Sequence, residues 1–214
     1  PGVDHGSAVV TGMELSPQIL GGWLEAFATE VAENEPLLTD LDRQIGDADH
    51  GANMVRGTKA VAALDPADFA DARSYAKKVA MTLISTVGGA SGPLYGTFFL
   101  RLAAALPDDG PIGQTDWLQA LRAGVQGVLD RGKANPGDKT MLDALVPAVD
   151  AFEKDPDHPW QSAADAAAAG RDATVPMVAR KGRASYLGQR SAGVADPGAT
   201  SATLLLVAAA RTLA

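Results

Sequence analysis

The chain has 214 residues, 46% hydrophobic and 21% charged, enough for one globular domain with a sizeable core. Its formal charge of −8 argues against a nucleic-acid surface, because sequence-independent phosphate binding needs a basic face. The absence of cysteine excludes disulfides, iron–sulfur clusters and thiol nucleophiles, and with no secretory leader pattern or membrane-length apolar run the expectation is a cytoplasmic protein without a membrane partner.

Aromatic residues are few and alanine abundant, which favours closely packed helices over sheets. Pro1–Gly12 is polar and glycine-containing and reads as a tail, a remnant or a linker; with the tail extended to residue 14, one helical domain is expected over 15–214. Eight segments carry helical periodicity and none a convincing strand alternation. The first is Pro17–Asn34, with Ser16 as N-cap and an apolar stripe at Leu20, Trp23, Phe27 and Val31. Gly51–Leu64, Asp68–Thr86 and Gly92–Leu106 follow, the second and third separated by the Asp65-Pro66 break. Thr115 is expected to cap a fifth helix that reaches Arg131, and Lys139–Phe152 and Trp160–Arg180 are the sixth and seventh, with kinks at Pro147 and Pro176. Asp196 and Pro197 begin the eighth. Short connections make consecutive helices antiparallel, so the fold class is all-α: an eight-helix up-and-down bundle or barrel.

Four alternate connections carry the chemistry. In Asp42-Arg43-Gln44-Ile45-Gly46-Asp47-Ala48-Asp49-His50, three carboxylates share one turn; this is either a solvated acidic turn or a divalent-cation site that relieves their repulsion. Val87-Gly88-Gly89-Ala90-Ser91-Gly92-Pro93 is either an ordinary helix–helix turn or a phosphate cradle at a helix N-terminus. The Asn135-Pro136-Gly137-Asp138 turn and the basic stretch from Lys181 to Thr200 are the other two. Alternate connections of an up-and-down bundle fall at the same end, so all four belong on one rim. The usual nucleotide fingerprints are missing: there is no G-x-G-x-x-G, and the P-loop-like Gly127–Ala134 lacks the hydroxyl and the preceding strand.

These stretches are similar to the nucleotide-binding L subunit of dihydroxyacetone kinase. The likeness runs through Leu41–Gly57, Gly88–Leu94, Lys133 with Pro136–Met141, Arg180–Gly188 and Asp196–Ser201, and covers the chain from about Leu15 onward. The resemblance implies an eight-helix barrel whose rim holds ADP or ATP with two Mg²⁺, bound by Asp42, Asp47 and Asp49. It implies nucleotide contacts from His50, Gly51, Asn53 and Gly89, phosphate contacts from Ala90 and Ser91, and a nucleoside frame of Gly132, Met141, Arg183 and Asp196-Pro197-Gly198. His50 is read as a nucleotide contact in preference to a general base, and no general base is assigned.

By the same resemblance the chain is a kinase component of glycerol metabolism. It would pass a phosphoryl group to dihydroxyacetone on a separate K subunit and be recharged by a donor subunit of the phosphoenolpyruvate-dependent phosphotransferase system. The alternatives are the ATP-binding domain of a single-chain dihydroxyacetone or tetrulose kinase, and a regulatory module that reports nucleotide state to a transcription regulator. A homodimer and a lipid inside the barrel are also compatible with the sequence. Three departures stand out: Ala48 where glycine is frequent, and Gln189 and Val194-Ala195 where polar or charged residues are expected.

Overall fold

Ser16 opens the first helix through its side-chain oxygen, which accepts from the Ile19 N–H at 3.3 Å, while Pro17 supplies a first helical position that needs no donor. In this computed structural model residues 13–108 and 110–214 are described; the tail expected over Pro1–Gly12 lies outside them. The helices are α1 (Pro17–Glu33), α2 (Glu35–Ile45), α3 (His50–Ala62), α4 (Ala72–Thr86), α5 (Ser91–Ala105), α6 (Gln114–Gly132), α7 (Leu142–Lys154), α8 (Pro159–Ala173) and α9 (Pro197–Thr212). Around the wall α1 packs against α3, each helix from α3 to α8 packs against the next, and α9 returns onto α1, closing the expected barrel, while α2 packs on α3 at the rim.

Several boundaries differ from the sequence expectations. Helix α2 was not anticipated; one residue, Asn34, separates it from α1, and it crosses the rim instead of forming a wall. Thr115 lies inside α6, whose N-cap is Gly113, and the Asp116 carboxylate accepts from the Gly113 N–H at 2.9 Å. The α4 cap is Asp71, in a reciprocal pair with Ser74, and Pro66–Asp68 forms a separate 3-10 turn ahead of it. Helix α7 starts only at Leu142 and does contain Pro147; α8 stops at Ala173, so Pro176 follows the helix and kinks nothing. Met13–Glu14, assigned to the tail, form a two-residue strand, β1, antiparallel to β2 (Pro111–Ile112).

The barrel interior is closed by aromatic rings. Trp23 meets Phe99 at 5.7 Å between centroids, and Trp117 and Trp160 each at 6.2 Å; Trp117 and Trp160 meet at 5.2 Å, and Phe152 and Trp160 at 4.8 Å. These rings come from α1, α5, α6, α7 and α8 and fill the axis. The tilted and edge-on geometries add about 0.5–1.5 kcal/mol per pair beyond burial. The Trp23 indole N–H donates to the Leu205 carbonyl at 2.9 Å, which ties α1 to α9. Helix α9 is buried on nearly every face, from Pro197 to Ala209, consistent with its lack of a polar stripe.

Up-and-down closure sends the N-termini of α3, α5, α7 and α9 to one end, with α2 lying across it. The rim therefore collects four positive helix ends. Among the described residues no helix is long and apolar enough to cross a membrane.

Candidate functional site

Asp42 sits in the last turn of α2, and its carboxylate faces the start of α3. Oδ2 accepts from the Asp49 and His50 N–H groups at 2.8 and 3.1 Å, so one acid caps the next helix across the turn. Gly46 makes this possible: a Cβ there would lie 2.0 Å from Asp42 Oδ1. Ala48 then takes φ +64°, a left-handed conformation that costs a non-glycine residue about 1–2 kcal/mol. The outcome is that one carboxylate oxygen each from Asp42, Asp47 and Asp49 lie within 4.8 Å of one another. Hard oxygen donors at this spacing suit Mg²⁺, whose remaining positions phosphate oxygens and water fill.

Opposite the acidic turn, Gly88-Gly89-Ala90 leads into α5. Gly89 takes φ +65°, and a Cβ at Gly92 would lie 2.3 Å from the Val87 carbonyl, so both glycines are needed for so tight an entry. No side chain caps α5, which leaves its first N–H groups for a ligand. Between the two turns lies a recess of about 540 Å³, in the ordinary range for a small-molecule site. It has two chemical poles. One is the Asp trio with Gly88–Ser91; the other is an apolar slot of Leu94, Val128, Ala134, Met141 and Leu142.

His50 lies under the floor, buried. Its Nε2 is 3.0 Å from Ser201 Oγ and its Nδ1 3.3 Å from Ser91 Oγ; Ser201 Oγ is in turn 2.8 Å from the Tyr95 hydroxyl. Burial pulls the His50 pKa below its usual value against the opposing pull of Asp42 and Asp49, which favours a neutral ring held between two hydroxyls. Burial likewise raises the Tyr95 pKa. Asp196 caps α9, accepting from the Ala199 N–H at 2.7 Å, and burial pushes its pKa up to about 7. Arg183, on the loop after α8, pairs with Asp47 at 2.9 Å and spans the mouth.

Of the residues singled out from sequence, Asp42, Asp47, Asp49, His50, Asn53, Gly89, Ala90, Ser91, Gly132, Met141, Arg183, Asp196, Pro197 and Gly198 all line the recess. Gly51 does not. A Cβ on it would lie 2.2 Å from Thr39 Oγ1 and 2.6 Å from the Glu35 carbonyl, so it serves the close packing of α3 on α2. Lys139, within the Pro136–Met141 stretch, is a site residue that the sequence does not announce. It is buried, with Nζ donating to the carbonyls of Met177, Ser191 and Val194 at 3.1, 2.6 and 2.7 Å. It fastens both ends of the mouth loop. Its only signal in the sequence is a lysine directly after Gly137-Asp138.

Residues 44–211 match the DAK2 domain family. The chain belongs to that family. Relatives of this DAK2 chain include the ADP-binding subunit DhaL of the PEP-dependent dihydroxyacetone kinase of Escherichia coli, 43% identical over 91% of this chain and 96% of the relative. The corresponding subunit of kinase 1 of Listeria innocua is 44% identical over 89% and 93%. In structure the DAK2 chain is similar to the dihydroxyacetone kinase of C. freundii in complex with AMP-PNP and Mg²⁺, with TM-score 0.68 and 26% identity. That alignment covers 99% of this chain but only 37% of the C. freundii chain, so the protein spans about a third of that kinase.

Proposed function

We propose that this chain is the ADP- or ATP-binding, Mg²⁺-dependent phosphoryl-transfer subunit of a dihydroxyacetone kinase. The observation that carries the reading is the convergence of Asp42, Asp47 and Asp49, within 4.8 Å, on the same recess as the uncapped start of α5. The relatives described as ADP-binding subunits support it. The polyphosphate would lie between the Asp trio and Gly89-Ala90-Ser91, and the adenosine would enter the slot framed by Gly132, Met141 and Asp196–Gly198. Two Mg²⁺, held by the three aspartates, would neutralise the phosphates and the charge that develops on the transferring group.

The protein's own part is positioning. Asp42 fixes the start of α3, the α5 N–H groups and Asn53 orient phosphate oxygens, and the mouth loop restricts water. Arg183 pairs with Asp47 at the mouth and would be within reach of a phosphate oxygen bound beside it. His50, bonded on both nitrogens, keeps Ser91 and Ser201 in place and is read as a positioning group in preference to a base. We assign no acceptor-activating base to this chain; a separate K subunit would present the ketose. The PEP-dependent kinases of the relatives point to a phosphotransferase-system subunit as the donor that recharges ADP.

The test is calorimetric titration of the purified chain with ADP, with and without Mg²⁺, followed by a turnover assay. Mg²⁺-dependent binding without ketose phosphorylation, and turnover on adding a K subunit and a donor, are the expected results. A second reading, an ATP-exchanging domain of a longer kinase, has the C. freundii likeness in its favour. ADP that stays bound through gel filtration supports the subunit reading, and rapid loss supports the exchanging one.

A further inference from the structure

Arg56 stands on the outer side of α3, exposed to solvent and outside the recess. Its guanidinium nevertheless makes two directed contacts, and both end at the site. Nε donates to the Thr86 carbonyl at 2.7 Å, and a terminal nitrogen donates to Asn53 Oδ1 at 2.7 Å.

Thr86 is the last residue of α4, so its carbonyl has no partner within the helix, and a cation there opposes the negative helix end. The chain continues directly into Val87-Gly88-Gly89-Ala90-Ser91. Two further contacts hold the same segment. A Cβ on Gly57 would lie 2.0 Å from Val87 Cγ2, and a Cβ on Gly88 would lie 2.6 Å from Asn53 Oδ1. Helix α3 and the glycine turn therefore meet through three successive pairs, Arg56 with Thr86, Gly57 with Val87 and Asn53 with Gly88, and Arg56 supplies the polar one.

The second contact fixes a choice that Asn53 alone leaves open. Its buried amide has an acceptor end and a donor end, and it lines the recess. A guanidinium can only donate, so it selects Oδ1 and leaves Nδ2 as the end available to a ligand. A flipped amide would offer an oxygen to a phosphate and repel it.

We infer that Arg56 is a positioning residue of the phosphate site. Without touching the ligand, it holds the Asn53 amide with its donor toward the anion and sets the height of the Gly88–Ser91 turn. The inference rests on the nucleotide reading above and predicts a selective defect: phosphate recognition suffers, while the nucleoside slot on the opposite wall does not.

The experiment is calorimetry with ADP and, separately, adenosine, both with Mg²⁺, on wild type, Arg56→Gln, Arg56→Lys, Asn53→Ala and the Arg56→Gln/Asn53→Ala double variant. Arg56→Gln is expected to weaken ADP about 10-fold or more, the scale of losing a group that orients a binding residue, and to change adenosine less than about two-fold. Arg56→Lys, which keeps the charge and reaches one acceptor, falls between wild type and Arg56→Gln. In the Asn53→Ala background most of the Arg56→Gln effect disappears, since the two residues act as one unit. Equal losses for ADP and adenosine, full additivity in the double variant, or unchanged ADP affinity would each overturn the inference while leaving the site reading intact. Wild type that binds no ADP with Mg²⁺ overturns both. Should Arg56→Gln not fold, the same ADP-to-adenosine comparison on Arg56→Lys decides.

Discussion

The Lys139 ammonium lies 2.6 Å from the Ser191 carbonyl, so a residue just ahead of α7 grips the far end of the loop that closes the mouth. With Met177 and Val194 also bound, one buried cation holds both ends of that loop. Burial lowers its pKa, and Asp196 nearby pulls the other way. Lys139→Met removes the buried charge but strands three carbonyls. The expected net loss is about 2–4 kcal/mol in urea unfolding, with faster amide hydrogen exchange across 177–194 and weaker ADP binding. Exchange that stays at the wild-type rate there would show that other contacts hold the loop.

Gly46 and Asp42 form a pair in which one residue's lack of a side chain places the other's carboxylate. Gly46→Ala puts a methyl group 2.0 Å from Asp42 Oδ1 and must move it. Mg²⁺-dependent ADP affinity is expected to fall about 10–100-fold, as for groups that orient metal ligands, and Asp42→Asn should cost more. Calorimetry at fixed Mg²⁺ reads both.

Ala48 holds a left-handed backbone at φ +64°. Ala48→Gly relieves that strain, and the added freedom of the unfolded chain takes part of the gain back, leaving about 0.5–1 kcal/mol of stabilisation. Thermal unfolding without Mg²⁺ measures it free of any metal effect.

Asp196 gives the fold a pH dependence of definite sign. Its pKa is about 7 in the folded protein against the usual 3.8, because burial and the neighbouring Asp143 disfavour the charged form. The stability contributed by its proton is fully present below about pH 4 and is lost as pH rises through about 7. Asp196→Asn keeps an acceptor for the Ala199 N–H and removes the titration. Its melting temperature should therefore exceed wild type at about pH 8, with the gap closing toward about pH 5; parallel curves would rule this out.

Pro147 has no N–H for the Asp143 carbonyl one turn back, and Gly170 of α8 packs against that carbonyl, where a Cβ would lie 2.0 Å away. Gly170→Ala is expected to destabilise by about 1–3 kcal/mol through overpacking. Gly22→Ala, in α1 with nothing within 4 Å of the added Cβ, is expected to stabilise by about 0.5–1 kcal/mol through helix propensity. Urea titration of the two variants side by side checks the opposite signs.

The walls of the barrel were legible because their signals are local. Ser16-Pro17, the Leu20–Val31 stripe and Asp196-Pro197 each declare a helix start or face within a few residues. Helix α2 is not announced in the sequence although Leu38, Leu41 and Ile45 repeat at helical spacing, since it follows α1 after one residue and no side chain caps its start. It buries only Leu38 and Ile45, as a rim element does. Thr115 looked like a cap by residue type, yet the Asp116 carboxylate does that work from inside the helix. At the site, the aspartates and glycines announced themselves by composition. Lys139 and Arg56 did not, because a lysine or arginine in a polar stretch is normally solvated; the Lys139 partners lie 38 to 55 positions away, and Arg56 reaches Thr86 30 positions away as well as nearby Asn53.

The chain's three tryptophans all belong to the one aromatic cluster that closes the axis. Trp117 is in the first turn of α6, while Arg131 lines the recess at the other end of that helix, about 21 Å away at 1.5 Å per residue. Intrinsic emission from this protein is therefore a gauge of the plugged end. It should shift sharply when the barrel opens and barely respond when a nucleotide arrives, so one optical signal can separate a variant that has come apart from one that has only lost its grip.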